Sequence, residues 1–375
     1  MAFSPRPELS VSVPASWVSR SLAAAGAVSL GPTPGAAMMA ICQSGHLGPT
    51  AAQVNVVTHL HLLNLLQGLD GGVHVRSPRR NLPYTLKTIG WYPRARWLAA
   101  PADFFQWPIE VRDSSAKPVR RAGRRWHVHY DYGPSLILGE QDVVVPYGVS
   151  PQLIHTGRWQ QKDSLRAVPR DIRLLFAGSC HASYYDKQEI ITARFGKMTR
   201  HAVIGALRAD GGWFEVSGPS DLGRIHGSER PVLIDSSRAR IQPEAWLETI
   251  AAADFLLCPP GTIMPMSHNI IEALGVGTIP LTNYPDWFFP ALEDGRNCFV
   301  FRSAEELLAR VEEIRGLPAA RIELMRAACR DYYDRHLDPR AAVARMVAAP
   351  LKDLRLHVLD ETYGHLPEGP GEHLD

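Results

Sequence analysis

The chain is poor in cysteine, with five in 375 residues, at positions 42, 180, 258, 298 and 329. The number is odd and no CxxC pair occurs, which excludes a disulfide framework and argues against a zinc site. Reduced, mostly buried thiols in a cytoplasmic setting are the expectation. Long apolar runs are also missing. Residues 21–42 are fairly hydrophobic, but Gly31-Pro32-Thr33-Pro34-Gly35 interrupts them. No uninterrupted span of about 20 apolar residues remains to cross a bilayer. Charge of either sign is not in excess, since 40 Lys and Arg stand against 38 Asp and Glu. The near-neutral balance and the lack of a binding motif weigh against nucleic acid as a partner.

What is present is ordinary for a soluble globular chain, with 45% apolar and 21% charged residues. The length allows two or three domains, each burying its own core. The most informative stretch is 254–282, DFLLCPPGTIMPMSHNIIEALGVGTIPLT. Phe255 to Cys258 form an apolar strand closed by Pro259-Pro260-Gly261. Ser267 or Asn269 can cap a helix carrying Ile270, Ile271, Ala273 and Leu274, which stops at Gly275-Val276-Gly277. Thr278 to Thr282 form a second buried strand, completing a parallel βαβ unit. A helix start beyond a glycine-containing loop favours phosphate through its free N–H groups and dipole. Glu272, on the first turns, is placed to reach a ribose hydroxyl. The same pattern also fits a plain buried crossover with Glu272 on its surface.

The segment CPPG followed by SHNIIEALGVGTIPL resembles the donor-nucleotide motif of GT-B glycosyltransferases, and is most similar to the exostosin-like family. Asp142-Val-Val-Val-Pro146 and Arg173-Leu-Leu-Phe-Ala-Gly178, with Arg200 downstream, agree in order and spacing. The resemblance covers roughly residues 140–340. It implies an α/β fold of the GT-B type, two Rossmann-like domains facing across a cleft. The expected boundaries are 1–160 for the acceptor half, 166–345 for the donor half, and 346–375 for a terminal segment and tail. It further implies transfer of a sugar from a nucleoside diphosphate sugar, UDP-sugar first, to a saccharide or glycoconjugate acceptor. Gly178, Arg200, Gly261, Ser267, His268, Asn269 and Glu272 would hold the donor, which is the co-substrate; no separate cofactor is expected. Enzymes of the secretory pathway in this family carry a membrane anchor, and this chain departs from them. A role in polysaccharide biosynthesis in the cytoplasm follows as an expectation.

The first half carries the acceptor-side candidates. Ala36 to Cys42 is expected as a strand, 43–50 as a loop and Ala51 to Gln67 as a helix, without a GxGxxG fingerprint. His46 in that loop has the titration range of a general base near neutrality. Asp103 lies in an aromatic segment with Trp91, Trp97 and Trp107, which fits either sugar stacking or a small core. In His127-Val-His-Tyr-Asp, residues 127, 129 and 131 alternate onto one strand face, so His129 and Asp131 join the candidates. The base is therefore sought among His46, Asp131 and Asp103. An inverting reaction needs such a base, and the absence of a DxD motif weighs against a metal-dependent GT-A enzyme. The cations of 117–125 read as a solvated loop, or as a peripheral contact to an anionic acceptor or lipid surface.

Residues 155–170 look like a polar interdomain linker, and Ile190 to Leu207 like one helix with a basic face. Ser303 to Glu306 is a capping box, and the final GHLPEGPGEHLD has the composition of a disordered tail. Two other functions fit the same cleft: a GT-B-shaped sugar-nucleotide epimerase, and a non-enzymatic two-domain protein closing on a small ligand.

Overall fold

A computed structural model describes residues 28–29, 40–43, 62–69, 71–76, 90–92, 95–98, 104–113, 118–181, 189–262 and 264–359. Among these, every strand pairs in parallel, and the strands divide between two sheets. The first holds β1 (Val28–Ser29), β2 (Ala40–Gln43), β3 (Val73–Arg76), β4 (Ala95–Leu98), β5 (Trp107–Asp113), β6 (Ala122–His129) and β7 (Asp142–Val144). The second holds β8 (Ile172–Gly178), β9 (Phe214–Val216), β10 (Val232–Asp235), β11 (Ala253–Cys258), β12 (Ile279–Thr282) and β13 (Phe299–Val300). The last strand, β14 (Asp353–His357), returns to the first sheet and lies between β6 and β7. Sequence reading assigns no strand to this terminal segment. It enters the sheet because Leu354 and Leu356 face the core while Asp353 and Arg355 stay exposed, the period-two pattern of a half-covered strand.

The helices are α1 (Pro151–His155), α2 (Lys162–Leu165), α3 (Glu189–Phe195), α4 (Arg200–Asp210), α5 (Trp246–Ala251), α6 (His268–Val276), α7 (Ala304–Gly316), α8 (Ala319–Tyr332) and α9 (Pro339–Ala348), besides helical residues 62–66. The second sheet runs β13-β12-β11-β8-β10-β9. The strand order reverses at β8, so β9 and β10 lie on one side and β11 to β13 on the other. That reversal leaves a crevice beyond the carboxyl ends of β8 and β11, where α/β sheets bind ligands. In the first sheet the corresponding reversal is at β2, flanked by β3 and β5.

The carboxyl edges of the two sheets face each other. Beyond β6, the Tyr132 hydroxyl donates to the Trp287 carbonyl, in the loop beyond β12. Beyond β7, the Gly148 carbonyl meets His268 Nδ1 at 2.6 Å, and the Ser150 N–H donates to Glu272 Oε1 at 2.9 Å. Gly148 leaves no room for a side chain, since a Cβ there would fall 2.0 Å from Asn64 Nδ2. The chain is an α/β protein of GT-B architecture: two Rossmann-like parallel sheets opposed across a cleft.

Two local expectations are corrected, and the helix stop at 275–277 is sharpened. The 190–207 segment is two helices, because Gly196 takes a positive φ of 61° and the Thr199 hydroxyl accepts from Ala202 N to start α4 afresh. Gly275 lies inside α6, with Gly277 as the left-handed cap at φ 77°. A side chain at Gly275 would meet the Trp159 ring at 2.4 Å, so glycine serves packing there. Trp159 itself belongs to the expected linker, which instead folds into a 3-10 turn, Arg158–Gln161, followed by α2. Its indole is buried and donates to the Tyr333 hydroxyl at 3.0 Å. The capping box holds, with Ser303 Oγ accepting from Glu306 N at 3.2 Å.

Candidate functional site

β8, β10, β11 and β12 read as apolar runs because both their faces are covered. β10 and β12 are buried throughout, β8 and β11 nearly so. Their carboxyl ends therefore sit on a rigid base, and the loops leaving them carry the polar groups. Gly178 ends β8, and Pro259-Pro260-Gly261 leaves β11. Arg200, the first residue of α4, spans the gap between them. Its Nε donates to the Pro260 carbonyl at 3.2 Å, and its Nη1 stands 3.7 Å from where a Gly178 Cβ would be. The break at Gly196 creates this placement: a continuous helix would have put Arg200 in its middle rather than at a fresh start.

Gly261 is fixed by the fold of its loop. Its N–H donates to Pro265 O at 3.1 Å, and a Cβ would fall 2.7 Å from Met264 O. The loop delivers the start of α6. Ser267 is the N-cap residue, but its side chain does not cap the helix. Its hydroxyl lies 3.4 Å from the Tyr284 hydroxyl instead. His268 and Asn269 occupy the first turn. The His268 ring packs on Tyr147, 4.9 Å between centroids. Since the Gly148 carbonyl can only accept, His268 Nδ1 carries the proton in that bond.

Glu272 is buried, at 1% exposure, and both its oxygens have protein donors. Oε1 takes the Ser150 N–H and Oε2 takes Trp246 Nε1 at 2.6 Å. The surface position in the plain-crossover reading is thus excluded. The carboxylate ties the first sheet's exit, α5 and α6 together.

Asp235, which sequence reading passes over, lies on the same edge. Asp235 ends β10 and accepts from Cys180 N, Ser237 N and Ser237 Oγ. Burial works against its charge, but the donors from Ser237 and Cys180 hold it below the usual carboxylate range. Burial and the Asp235 charge push the Cys180 thiol up to about 12. Lys197 pairs with Asp286 at 2.8 Å, strapping the α3–α4 turn to the loop beyond β12. Glu293 pairs with Arg296, while Asp294 pairs with Arg310 and accepts from Val300 N. Among the described cysteines, 258, 298 and 329 are buried and Cys180 is half-buried.

On the first sheet, His46 and Asp103 lie outside the described residues. Asp131 is described, and its Oδ1 accepts from His357 Nδ1 at 2.7 Å. His129 stacks on His357 at 5.8 Å, whereas His127 meets Arg112 at 3.1 Å. The alternating trio is therefore divided between two partners. Among the described residues no group of three His, Cys, Asp or Glu side chains is placed to hold a metal ion. Trp107 is fully buried, so it belongs to the core rather than to an open sugar platform. In the basic run, Arg124 donates to the Ala349 and Leu351 carbonyls, while Arg120 and Arg121 are exposed at the amino edge, away from the cleft. Among the described residues no helix is long and apolar enough to cross a membrane.

No protein-family model matches the chain, and no curated protein matches it. Solved structures do. A glycosyltransferase from Rickettsia africae ESF-5 is 9% identical over 83% of this chain and 97% of its own, with a TM-score of 0.41. Sucrose-phosphate synthase from Thermosynechococcus elongatus is 12% identical over 83% and 97%, at 0.40. Anabaena HepE in complex with UDP and glucose is 12% identical over 84% and 100%, at 0.39. Scores and identities of this size do not carry the assignment of fold, which rests on the parallel strand order and the opposed carboxyl edges.

Proposed function

We propose that the chain is a glycosyltransferase that moves a sugar from a nucleoside diphosphate sugar, UDP-sugar first, to a saccharide or glycoconjugate acceptor, with inversion and without a metal. The observation that carries this reading is Arg200, bridging the ends of β8 and β11 at the strand-order reversal. The uncapped first turn of α6 opens from the same loop system. A guanidinium and helix N–H groups together neutralise charge developing on a departing diphosphate.

In this reading Gly178 and Gly261 keep the floor open, while Ser267, His268 and Asn269 line the helix start. Glu272 accepts a ribose hydroxyl in addition to its two protein donors, since a carboxylate offers about four lone-pair sites. The base that inversion requires is sought among His46, Asp131 and Asp103, of which Asp131 lies beyond the carboxyl end of β6 on the facing sheet. The exostosin-like motif supports the donor side of this assignment.

A thermal-shift panel of UDP-, GDP-, ADP-, CMP- and dTDP-sugars tests it, repeated with Arg200→Ala. Ligand at 100 times its dissociation constant adds about 2.7 kcal/mol to native stability. The expected result is stabilisation by one nucleotide family, lost in the folded variant. No shift with any nucleotide sugar would overturn the reading in favour of a binding protein for another ligand.

A further inference from the structure

We propose that Asp131 and His357 act as one unit on the acceptor side of the cleft. Asp131 takes the acceptor hydroxyl proton, and His357 is the positioning residue that holds its carboxylate. The proposal rests on the glycosyl-transfer reading above and adds a residue that lies far outside the stretch carrying the family resemblance.

The terminal strand makes the pairing. β14 is inserted between β6 and β7, with His357 in register with His129 on one side and Val144 on the other. This sets His357 at the carboxyl edge, behind Asp131. The exposures divide the roles, since the His357 side chain is 7% exposed and that of Asp131 is 51% exposed. Only the carboxylate reaches solvent, so it meets the acceptor, and the imidazole fixes it from below. The other ring nitrogen, Nε2, stands 3.1 Å from Asp142 Oδ1. Asp142 is fixed in turn by Arg355 Nε at 2.6 Å and by Gly139 N at 2.7 Å. His129 stacks on the His357 ring, 5.8 Å between centroids. A chain of groups thus holds one half-exposed carboxylate in place. The next residue, Tyr132, reaches across to Trp287 and packs on Phe289 at 5.5 Å, so Asp131 stands beside the junction of the two sheets. A cavity of about 320 Å³ lies on the polar face of the same sheet, lined by His127, His129, Gln141 and Arg355 rather than by Asp131 itself.

The step balances without a further reactant. The acceptor hydroxyl proton passes to the Asp131 carboxylate as the acceptor oxygen bonds to the anomeric carbon. The bond from that carbon to the β-phosphate oxygen breaks, and its electron pair leaves with the nucleoside diphosphate.

The test measures release of nucleoside diphosphate from the sugar-nucleotide panel, with p-nitrophenyl glycosides as acceptors and with water alone. Asp131→Asn and His357→Leu should each lower kcat about 100-fold, as loss of a general base does. The KM for the donor should stay within about twofold, because the donor sits on the other sheet. His357→Asn keeps an N–H donor near the Nδ1 position and should recover roughly tenfold of the loss, which a merely structural histidine would not predict. It also serves if the leucine variant fails to fold. Turnover of Asp131→Asn within about threefold of wild type overturns the proposal and leaves the transferase reading standing. Equal loss in the leucine and asparagine variants also overturns it. No nucleotide release by the wild-type chain from any donor overturns both.

Discussion

The two sheets share parallel pairing and a strand-order reversal, yet they are covered differently. In the second, helices pack around apolar strands, and polar chemistry is confined to the loops at the carboxyl edge. In the first, one face is apolar: Ile109, Val111, Trp126, Val128, Leu354 and Leu356 share a core with Ala342, Val343 and Met346 of α9. The opposite face carries Glu110, Arg112, Arg125, His127, His129, Arg355 and His357 in adjacent register. A sheet covered on both sides by apolar groups holds its loops rigidly, as a donor diphosphate site needs. A sheet with a titratable face can present protons and hydrogen bonds to an acceptor.

Four substitutions test that contrast, from the largest effect downward. Glu272→Ala should be the most damaging. It removes the acceptor of both Ser150 N–H and Trp246 Nε1–H, and hydrogen bonds to a buried charge contribute about 1.5–3 kcal/mol each. Its effect on donor binding must therefore be read after correction for stability, and Glu272→Gln is the gentler probe. Gly275→Val comes next, because its side chain would strike the buried Trp159 ring. Overpacking of this kind costs about 3 kcal/mol, readable in urea unfolding.

The first sheet should fail by acid in two steps. His74 is buried, packs at a tilt against Trp107 and has no hydrogen-bond partner among the described residues. Burial, then the nearby Arg96, lowers its pKa from 6.5. The folded state therefore keeps it neutral, and stability falls as pH drops below 6.5 and the unfolded chain takes the proton. For Asp142, burial opposes charge, but the Gly139 N–H, His357 and Arg355 bring its pKa down from 3.8 to about 2. Its contribution is complete above pH 4 and is lost as pH falls through about 2. The destabilisation caused by Asp142→Asn should thus be full at pH 6 and vanish near pH 2, as a pH series of thermal melts would show. Arg121→Ala, at the exposed amino edge, should change stability by no more than about 0.5 kcal/mol.

Much of the second sheet was legible because its strands are covered on both faces, and apolar runs ended by Gly and Pro mark such strands locally. β8, β11, α6 and β12 follow the FAG, CPPG and IPL segments closely. The helix break before Arg200 carried a local signal too, Gly196 followed three residues later by the capping Thr199, which the basic periodicity of 190–207 masked. What was not legible was long-range. Trp159 looks like a linker residue until Gly275 and Tyr333 are brought to it. His357 lies 226 residues from Asp131, and no spacing rule connects them. Glu272 was placed on its helix correctly, but its burial depends on Ser150 and Trp246 from other elements. Local pattern fixes strands and helices; partners across the cleft depend on how the sheets meet.

In the proposed function Arg200 and the start of α6 receive a diphosphate. Titration calorimetry with UDP and with inorganic pyrophosphate on the wild-type chain, Arg200→Ala and Arg355→Ala tests it most directly. Arg200→Ala should weaken both ligands by roughly tenfold or more, the ~1.5–3 kcal/mol scale of a charged hydrogen bond, while Arg355→Ala on the first sheet should leave them unchanged. Equal affinity in wild type and Arg200→Ala, or an equal loss in Arg355→Ala, would contradict it.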